Sequence, residues 1–425
     1  PPPVSPPERW VHSKCVIMMM KRKVFIMEQE KGLLEGVVVL DLTRVLAGPY
    51  CGALMADMGA TVIKVEQPGK GDDSRSMGPF VNEQSVYYAN FNRSKLGVTL
   101  NLKDPEAKEI FKEMVKKADV VIENYRPGTM EKLGLGYDVL KEINPGIIYG
   151  ACSGFGHTGP YSKRAGYDIV GQAMGGLMST TGWPGGPATR CGTPMGDVLG
   201  GLNLTVGVLA ALVNKQKTGL GEKVDVALVD SVASAMENIT MIYQSTGRIP
   251  QRIGNRYEST YPYDVFPAKD GDVVIAAGNA KLWKILCSVM GKPELADDPK
   301  FVGIQERIAN HEELRAIICD WTKDYTIDEI DKMLNDAGCP ACPVNTIDRL
   351  VKDPQIAGAR GMFPEIDQPG MGKLQITAMA QKLTRTKSCP RKGAPLLGED
   401  NAAIYGEMLG FDEAKLAELK EKGVI

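Results

Sequence analysis

Histidine is scarce in this 425-residue chain; His12, His157 and His311 are the whole supply. His12 stands in a proline-rich opening and His311 in a charged helical stretch. A histidine-based triad is hard to assemble from these, so a carboxylate is the better candidate for covalent chemistry. A basic excess is lacking too: 50 Lys and Arg face 52 Asp and Glu, a formal net charge of -2. Nothing would neutralise the phosphates of a nucleic acid, and DNA or RNA is not expected as a partner. A local pocket of a few cations for a nucleotide-like cofactor stays open. The nine cysteines show no disulfide spacing, which fits a reducing, cytoplasmic compartment. Cys339 and Cys342 form a C-x-x-C without a second Cys or His pair at zinc-ligand spacing, so no metal is expected. No apolar run approaches the roughly 20 residues that cross a bilayer, and no membrane is expected. The signatures G-x-G-x-x-G, G-x-x-x-x-G-K-[ST] and G-x-S-x-G are all missing. Nicotinamide, ATP-driven and serine-elbow chemistries are disfavoured accordingly.

What is present is a globular composition, 43% hydrophobic and 24% charged. Residues 1–31 open on Pro-Pro-Pro without periodicity and read as an extension, disordered or added in cloning. From Gly32 a strand–helix–strand rhythm begins. Val37 to Leu42 reads as a strand, Thr43 to Pro49 as a turn, Tyr50 to Met58 as a helix and Ala60 to Glu66 as a second strand. Asp104-Pro105-Glu106 opens a capped helix with an apolar face through Ile110, Phe111 and Met114. Further strands are expected at Gly97 to Leu102, Val120 to Glu123 and Ile147 to Ala151. This alternation implies an α/β fold with a parallel, Rossmann-like sheet covered on both faces. Leu199 to Lys215 reads as a long apolar helix. Pro262 to Pro267 and Asp272 to Ala276 read as a hairpin, and Leu374 to Thr384 as a return to the sheet. The expected division is a large domain from 32–246 plus 374–425, with a smaller α+β domain inserted at 247–373.

Asp197 stands out among the carboxylates. It follows Pro194-Met195-Gly196 and precedes Val198-Leu199-Gly200-Gly201, so small residues leave room beside it. At a helix start, free N–H groups and the dipole would keep it ionised. Plain N-capping is the competing reading. An ionised Asp can also attack an activated acyl group.

Several segments in the same order resemble one family. They include Leu40-Asp41-Leu42-Thr43, Ala47-Gly48-Pro49, Gly59-Ala60-Thr61-Val62-Ile63-Lys64-Val65-Glu66, Phe91-Asn92-Arg93-Ser94-Lys95, Glu123-Asn124-Tyr125-Arg126-Pro127-Gly128 and Ala394-Pro395-Leu396-Leu397-Gly398-Glu399. The chain from about Gly32 to Ile425 resembles the class III CoA-transferases of CaiB/BaiF type, the group of formyl-CoA and carnitine CoA-transferases. The resemblance implies that Asp197 is the catalytic aspartate. It assigns CoA contacts to Leu46, Ala47, Gln67, Leu100, Asn101, Leu102, Lys103, Asn124, Tyr125, Arg126, Lys132, Cys152, Ser153, Gly154 and Phe155. Lys103, Arg126 and Lys132 would then meet phosphates. Backbone N–H groups at Val45, Leu46 and Ala47 would steady an oxyanion, and Ala277, Gly278 and Asn279 would form a substrate loop. Acyl-CoA and small carboxylic acids are the implied substrates, with no metal, ATP or redox cofactor and an interlocked homodimer as the assembly. Related racemases pair the aspartate with the His of a Gly-His-Asp motif. Here that motif is Gly166-Tyr167-Asp168, and a phenol with a pKa of about 10 is a poor base. A racemase and a non-catalytic CoA-binding protein remain as alternatives.

Overall fold

The computed structural model describes residues 32–386 and 388–425; the expected extension at 1–31 lies outside the described residues. In chain order the elements that matter are β1 (Val38–Asp41), α1 (Ala47–Asp57), β2 (Thr61–Glu66), β3 (Leu96–Thr99), α2 (Pro105–Val115), β4 (Val120–Glu123), β5 (Ile148–Ser153), α3 (Asp168–Met174) and α4 (Met195–Thr218). They are followed by β6 (Lys223–Ala227), α5 (Leu228–Ser234), α6 (Glu237–Thr246), β7 (Tyr263–Pro267), β8 (Asp272–Ala276), α7 (Ala280–Val289), β9 (Ala341–Pro343), β10 (Glu365–Gln368), β11 (Gly372–Gln375), α8 (Asn401–Leu409) and α9 (Glu413–Glu421).

Six strands form one sheet in the order β3-β2-β1-β4-β5-β6. The pairs β2–β3, β1–β2, β1–β4 and β4–β5 are all parallel. The order reverses between β1 and β4, which makes their carboxyl ends the switch point where open α/β sheets bind ligands. Strands β1, β2 and β4 are mostly buried runs rich in Val and Ile, as a doubly covered sheet requires. On one face Ile110, Phe111 and Met114 of α2 pack with Ile404 and Met408 of α8 and with Leu419 of α9. Asp104 caps α2, accepting from the N–H groups of Glu106 and Ala107, with Pro105 in the first turn, as the sequence led one to expect.

The chain divides into two compact units. One comprises the residues up to Ser153 with Gly201–Val226 and Pro364–Ile425; the other comprises Gly154–Gly200 and Ala227–Phe363. These boundaries differ from the expected 247–373 insertion. After β5 the chain leaves the sheet at Gly154, and Val229 N–H donates to the Gly154 carbonyl at 3.2 Å. Gly171 of α3 lies against Leu228 of α5, so 154–200 and 227–246 pack on each other. Within the same unit β7, β8 and β9 form a three-stranded sheet over a core that includes Trp283, Phe301, Leu314 and Ile330.

Three further expectations are corrected. Gly372–Gln375 pairs antiparallel with Glu365–Gln368 in a separate hairpin, so this segment does not re-enter the main sheet. By its sequence Asp230 to Ser245 reads as one helix, but the structure has two, α5 and α6, and Glu237 at the break has φ 48°. Helix α4 is long and apolar enough to cross a membrane by length and composition, with less than half of its most apolar stretch buried; the short reading of 199–215 had hidden this.

Buried ion pairs fix the turn after β1. Lys64 Nζ meets Asp72 at 2.7 Å and Lys95 Nζ meets Asp41 at 2.7 Å, and all four side chains are fully buried. Lys64 also donates to the Thr43 carbonyl, and Lys95 to the Pro49 carbonyl at 3.0 Å. Burial works against the charged carboxylates, but the lysines outweigh it and hold Asp41 and Asp72 below the usual range. Removing one member leaves a buried charge alone, at a typical cost of about 3–5 kcal/mol. Lys64→Met should lower the urea-unfolding free energy by about that amount. A loss below roughly 1 kcal/mol, the scale of an exposed pair, would show that the pair is no anchor.

Candidate active site

The first group of candidate residues lies in the sheet-bearing unit. Between β1 and α1 the backbone turns sharply, and Val45 has φ 67°, a left-handed conformation that a β-branched residue rarely adopts. Its N–H donates to Asp72 Oδ1 at 3.1 Å. Val45 is therefore spoken for and is withdrawn from the expected oxyanion set. Leu46 and Ala47 lead into α1, where first-turn N–H groups have no intrahelical acceptor. Arg44 N–H donates to Asn124 Oδ1 at 2.7 Å, and Asn124 Nδ2 donates back to the Arg44 carbonyl at 2.7 Å. This clasp ties together the two loops at the switch point.

The remaining candidates of this unit follow the same edge, because parallel strands bring all their carboxyl ends to one side. Gln67 follows β2 and is exposed. Leu100 to Lys103 follow β3, but Leu100 belongs to the hydrophobic core and its N–H donates to the Glu66 carbonyl. Asn101 N–H donates to the Val424 carbonyl at 2.8 Å. Tyr125 and Arg126 follow β4, and Lys132 sits in the short helix Thr129–Leu133. Lys103, Arg126 and Lys132 are exposed. Cys152 and Ser153 close β5 and are buried. Sequence reasoning passed over Glu123, which accepts from Tyr125 N–H at 2.7 Å and from the Tyr149 hydroxyl at 3.2 Å. Burial pushes its carboxyl up to about 7.

Asp197 lies in the other unit, together with Gly154, Phe155 and Ala277 to Asn279. It occupies the first turn of α4 and does not cap it. The capping role falls to Asp168, whose Oδ1 accepts from Gly196 N–H at 2.8 Å. Gly196 is required there, since a Cβ would come within 2.9 Å of the Asp168 carbonyl oxygen. Asp197 is half-buried, and burial, reinforced by the nearby Asp168 charge, raises its carboxyl to about 7. The expectation of a fully ionised aspartate thus fails. A helix N-terminus contributes about 0.3–1 kcal/mol to a nearby anion. That is less than the 1.36 kcal/mol of one pKa unit, and burial beside a like charge outweighs it.

Two residues of this arrangement escaped notice in the sequence. Attention fell on Tyr167, whose ring is 73% exposed, although its neighbour Asp168 makes the contact. Gln172, four residues on, donates to Asp168 Oδ2 at 2.8 Å. The i, i+4 spacing of two polar residues at a helix start was the available signal. Gly154 and Gly166 cross closely: a Cβ on either would lie 2.4 Å or less from the other's Cα. Phe155 packs edge-on against Tyr161, centroids 5.9 Å apart.

Ala277 to Asn279 is not an open loop. Ala277 is buried in the core. Arg307 donates to the Gly278 carbonyl at 2.6 Å, and Asn279 Oδ1 caps α7 by accepting from Leu282 N–H at 2.9 Å. The segment is a locked strand-to-helix corner. Of the C-x-x-C pair, Cys339 is buried and Cys342 exposed. Among the described residues no group of three or more His, Cys, Asp or Glu side chains gathers as a metal site.

The sheet-bearing unit thus has the parallel strand order and the carboxyl edge of a ligand-binding α/β fold, and the other unit carries on a helix a carboxylate without a hydrogen-bond partner among the described residues. The comparisons are specific. The model of CoA-transferase family III matches residues 34–401, and the chain belongs to that family. It is 41% identical over 379 residues to the acetyl-CoA:oxalate CoA-transferase of Acetobacter aceti, covering 89% of this chain and 96% of that protein. It is 38% identical over 393 residues to the human succinyl-CoA:glutarate CoA-transferase, covering 92% and 90%. The crystal structure of a CaiB/BaiF family protein from Brucella suis superposes with a TM-score of 0.80 at 37% identity, covering 89% of this chain and all of that one.

A carboxyl raised to about 7 has a consequence for stability. Its contribution is intact at low pH and is lost as the pH rises through about 7, because the folded state then holds a charge it disfavours. Asp197→Asn should accordingly raise Tm at pH 8, and the gain should shrink toward nothing near pH 4. Asp168→Asn should lower the Asp197 pKa toward the ordinary carboxylate range. A pH-independent Tm difference between wild type and Asp197→Asn would contradict the assignment.

Proposed function

We propose that this protein transfers CoA from an acyl-CoA donor to a carboxylic acid acceptor, with Asp197 as the covalent nucleophile. The observation that supports this most is a carboxylate in the first turn of α4 that serves no capping role, because Asp168 already fills it. Asp197 attacks the thioester carbonyl to give an aspartyl–acyl anhydride, and the CoA thiolate leaves. The thiolate then attacks the aspartyl carbonyl, giving an aspartyl–CoA thioester and releasing the donor acid. The acceptor carboxylate repeats both steps in reverse order, and the aspartate is regenerated. Thioester energy is exchanged rather than made, so the reaction draws on no metal, ATP or redox cofactor.

In this reading CoA runs along the carboxyl edge of the sheet, with Lys103, Arg126 and Lys132 meeting its phosphates. Leu46 and Ala47 offer first-turn N–H groups to the oxyanion. The relatives are named for oxalate and glutarate as well as for acetyl-CoA and succinyl-CoA, which supports short dicarboxylic acids as acceptors here. A cytoplasmic homodimer belongs to the proposal. Exposed apolar residues on α4, Val206 and Val213, with Ile249 and Tyr243 elsewhere, favour a protein partner over solvent. No observation favours racemisation, since Tyr167 replaces the second base.

Asp197→Asn keeps size and removes the nucleophile. It should bind CoA normally and lose transfer by roughly 10⁴-fold or more, in line with other nucleophile deletions. Hydroxylamine added during turnover should label the wild type at Asp197, read as a peptide mass shift. Near-normal transfer by Asp197→Asn, or a label elsewhere, would overturn the mechanism. For the wild type, kcat/KM should rise with pH through about 7 as the nucleophile ionises. Light scattering after gel filtration should give twice the chain mass of 46.0 kDa; a monomer would remove the dimer from the proposal.

A further inference from the structure

The side chain of Gln172 is fully buried, yet it is polar at both ends and every end is occupied. Its Nε2 donates to Asp168 Oδ2 at 2.8 Å and to the Thr193 carbonyl at 3.3 Å. Its Oε1 accepts from Cys191 N–H at 2.8 Å. Two acceptors on one side and a donor on the other fix the orientation of the carboxamide. A single side chain therefore grips the strand of backbone that leads into α4 at two points, Cys191 and Thr193. It also grips the acid that caps α4, because Asp168 accepts from Gly196 N–H through its other oxygen. The carbonyls of Thr193 and Pro194 receive the next N–H groups, from Met195 at 2.8 Å and Val198 at 3.0 Å. The helix start carrying Asp197 is thus held from below by its own turn and from the side by Gln172 and Asp168.

We propose that Gln172 is the positioning residue of the active site: its carboxamide sets the place of the first turn of α4, and with it the attack trajectory of the Asp197 carboxylate. Gln172 acts through Asp168 and the 191–196 backbone. The inference rests on the reading of Asp197 as the nucleophile. Its physical weight comes from the steep dependence of covalent catalysis on geometry, in which a displacement of about 1 Å can cost on the order of 10²-fold in rate. A purely structural buried glutamine would affect stability and leave the reacting atoms where they are.

Two variants separate these cases. Gln172→Met keeps length and removes all three hydrogen bonds. Gln172→Glu keeps an acceptor for Cys191 N–H and removes the donors to Asp168 and Thr193. Both are compared with wild type in circular dichroism, CoA binding and steady-state transfer from acetyl-CoA to a short dicarboxylate. The expected result is a folded protein with unchanged CoA affinity and a KM for acyl-CoA within about twofold. Its kcat should fall roughly 10²-fold, with hydroxylamine labelling of Asp197 slowed in parallel. If either folded variant keeps kcat near wild type, or if KM and CoA affinity worsen together with kcat, the positioning role is overturned. If neither variant folds, Gln172 is a structural residue and the proposal also falls. Asp197→Asn measured alongside distinguishes the failures. Transfer surviving in that variant sinks the nucleophile itself, whereas a dead Asp197→Asn beside active Gln172 variants sinks only this inference.

Discussion

Two buried ion pairs, Lys64–Asp72 and Lys95–Asp41, are the constraint on which the ligand-facing edge of the sheet depends. They do not hold the sheet together; its parallel ladders and apolar core do that. They hold the turn that leaves β1, and the turn needs holding because Val45 adopts a conformation of order 1–3 kcal/mol above the ordinary regions. Lys64 reaches the Thr43 carbonyl from one side and Asp72 reaches the Val45 N–H from the other. Asn124 then fastens the same turn to the loop after β4. Charges are expensive to bury, and a buried pair is a poor device for stability alone. Here each ion also bonds backbone at the turn: Asp41 accepts from Thr43 N–H and Asp72 from Val45 N–H, while Lys64 donates to the Thr43 carbonyl and Lys95 to the Pro49 carbonyl.

The second site is organised on the opposite principle. Among the described residues Asp197 has no ion-pair partner, and another acid, Asp168, stands close. A raised carboxyl suits the proposed role, in which it meets the thioester carbonyl of an acyl-CoA as a nucleophile. A more basic carboxylate is also a better nucleophile once ionised. The neighbouring acid is held in place, since Asp168 accepts from Gln172 Nε2 and from Gly196 N–H. Sites that store unfavourable electrostatics in this way are common where catalysis needs them.

Much of this was legible in the residues. Alternating β-branched runs and amphipathic stretches gave the strands and helices of the sheet, and Asp104-Pro105 gave the cap of α2, because local propensity and tertiary demand agree there. Small residues around Asp197 singled out that carboxylate, and the structure sets it in the first turn of α4. What escaped was decided by contacts distant in sequence. Asp168 caps a helix that begins 27 residues later, and no local pattern reveals that Asp197 is thereby freed from capping. Val45 looked like an ordinary turn residue, because the Asp72 carboxylate that accepts from its N–H lies 27 residues on. Gly372–Gln375 has strand composition, but composition does not say which partner a strand finds, and it found Glu365–Gln368. The boundary at Gly154 was missed for a similar reason: the fold leaves the sheet there without any change in texture.

The crossing of Gly154 and Gly166 carries a lesson about how this protein can vary. Each residue fills the space that the other's missing side chain leaves, and what each would strike is main chain. Main chain has no smaller version. A methyl group added at either position therefore has no partner substitution that could make room for it, unlike a bulky core residue, whose neighbour can shrink. The two sites are coupled in space yet should show no compensating covariation among related sequences: both stay glycine, or the two loops part and the fold around α3 is redrawn.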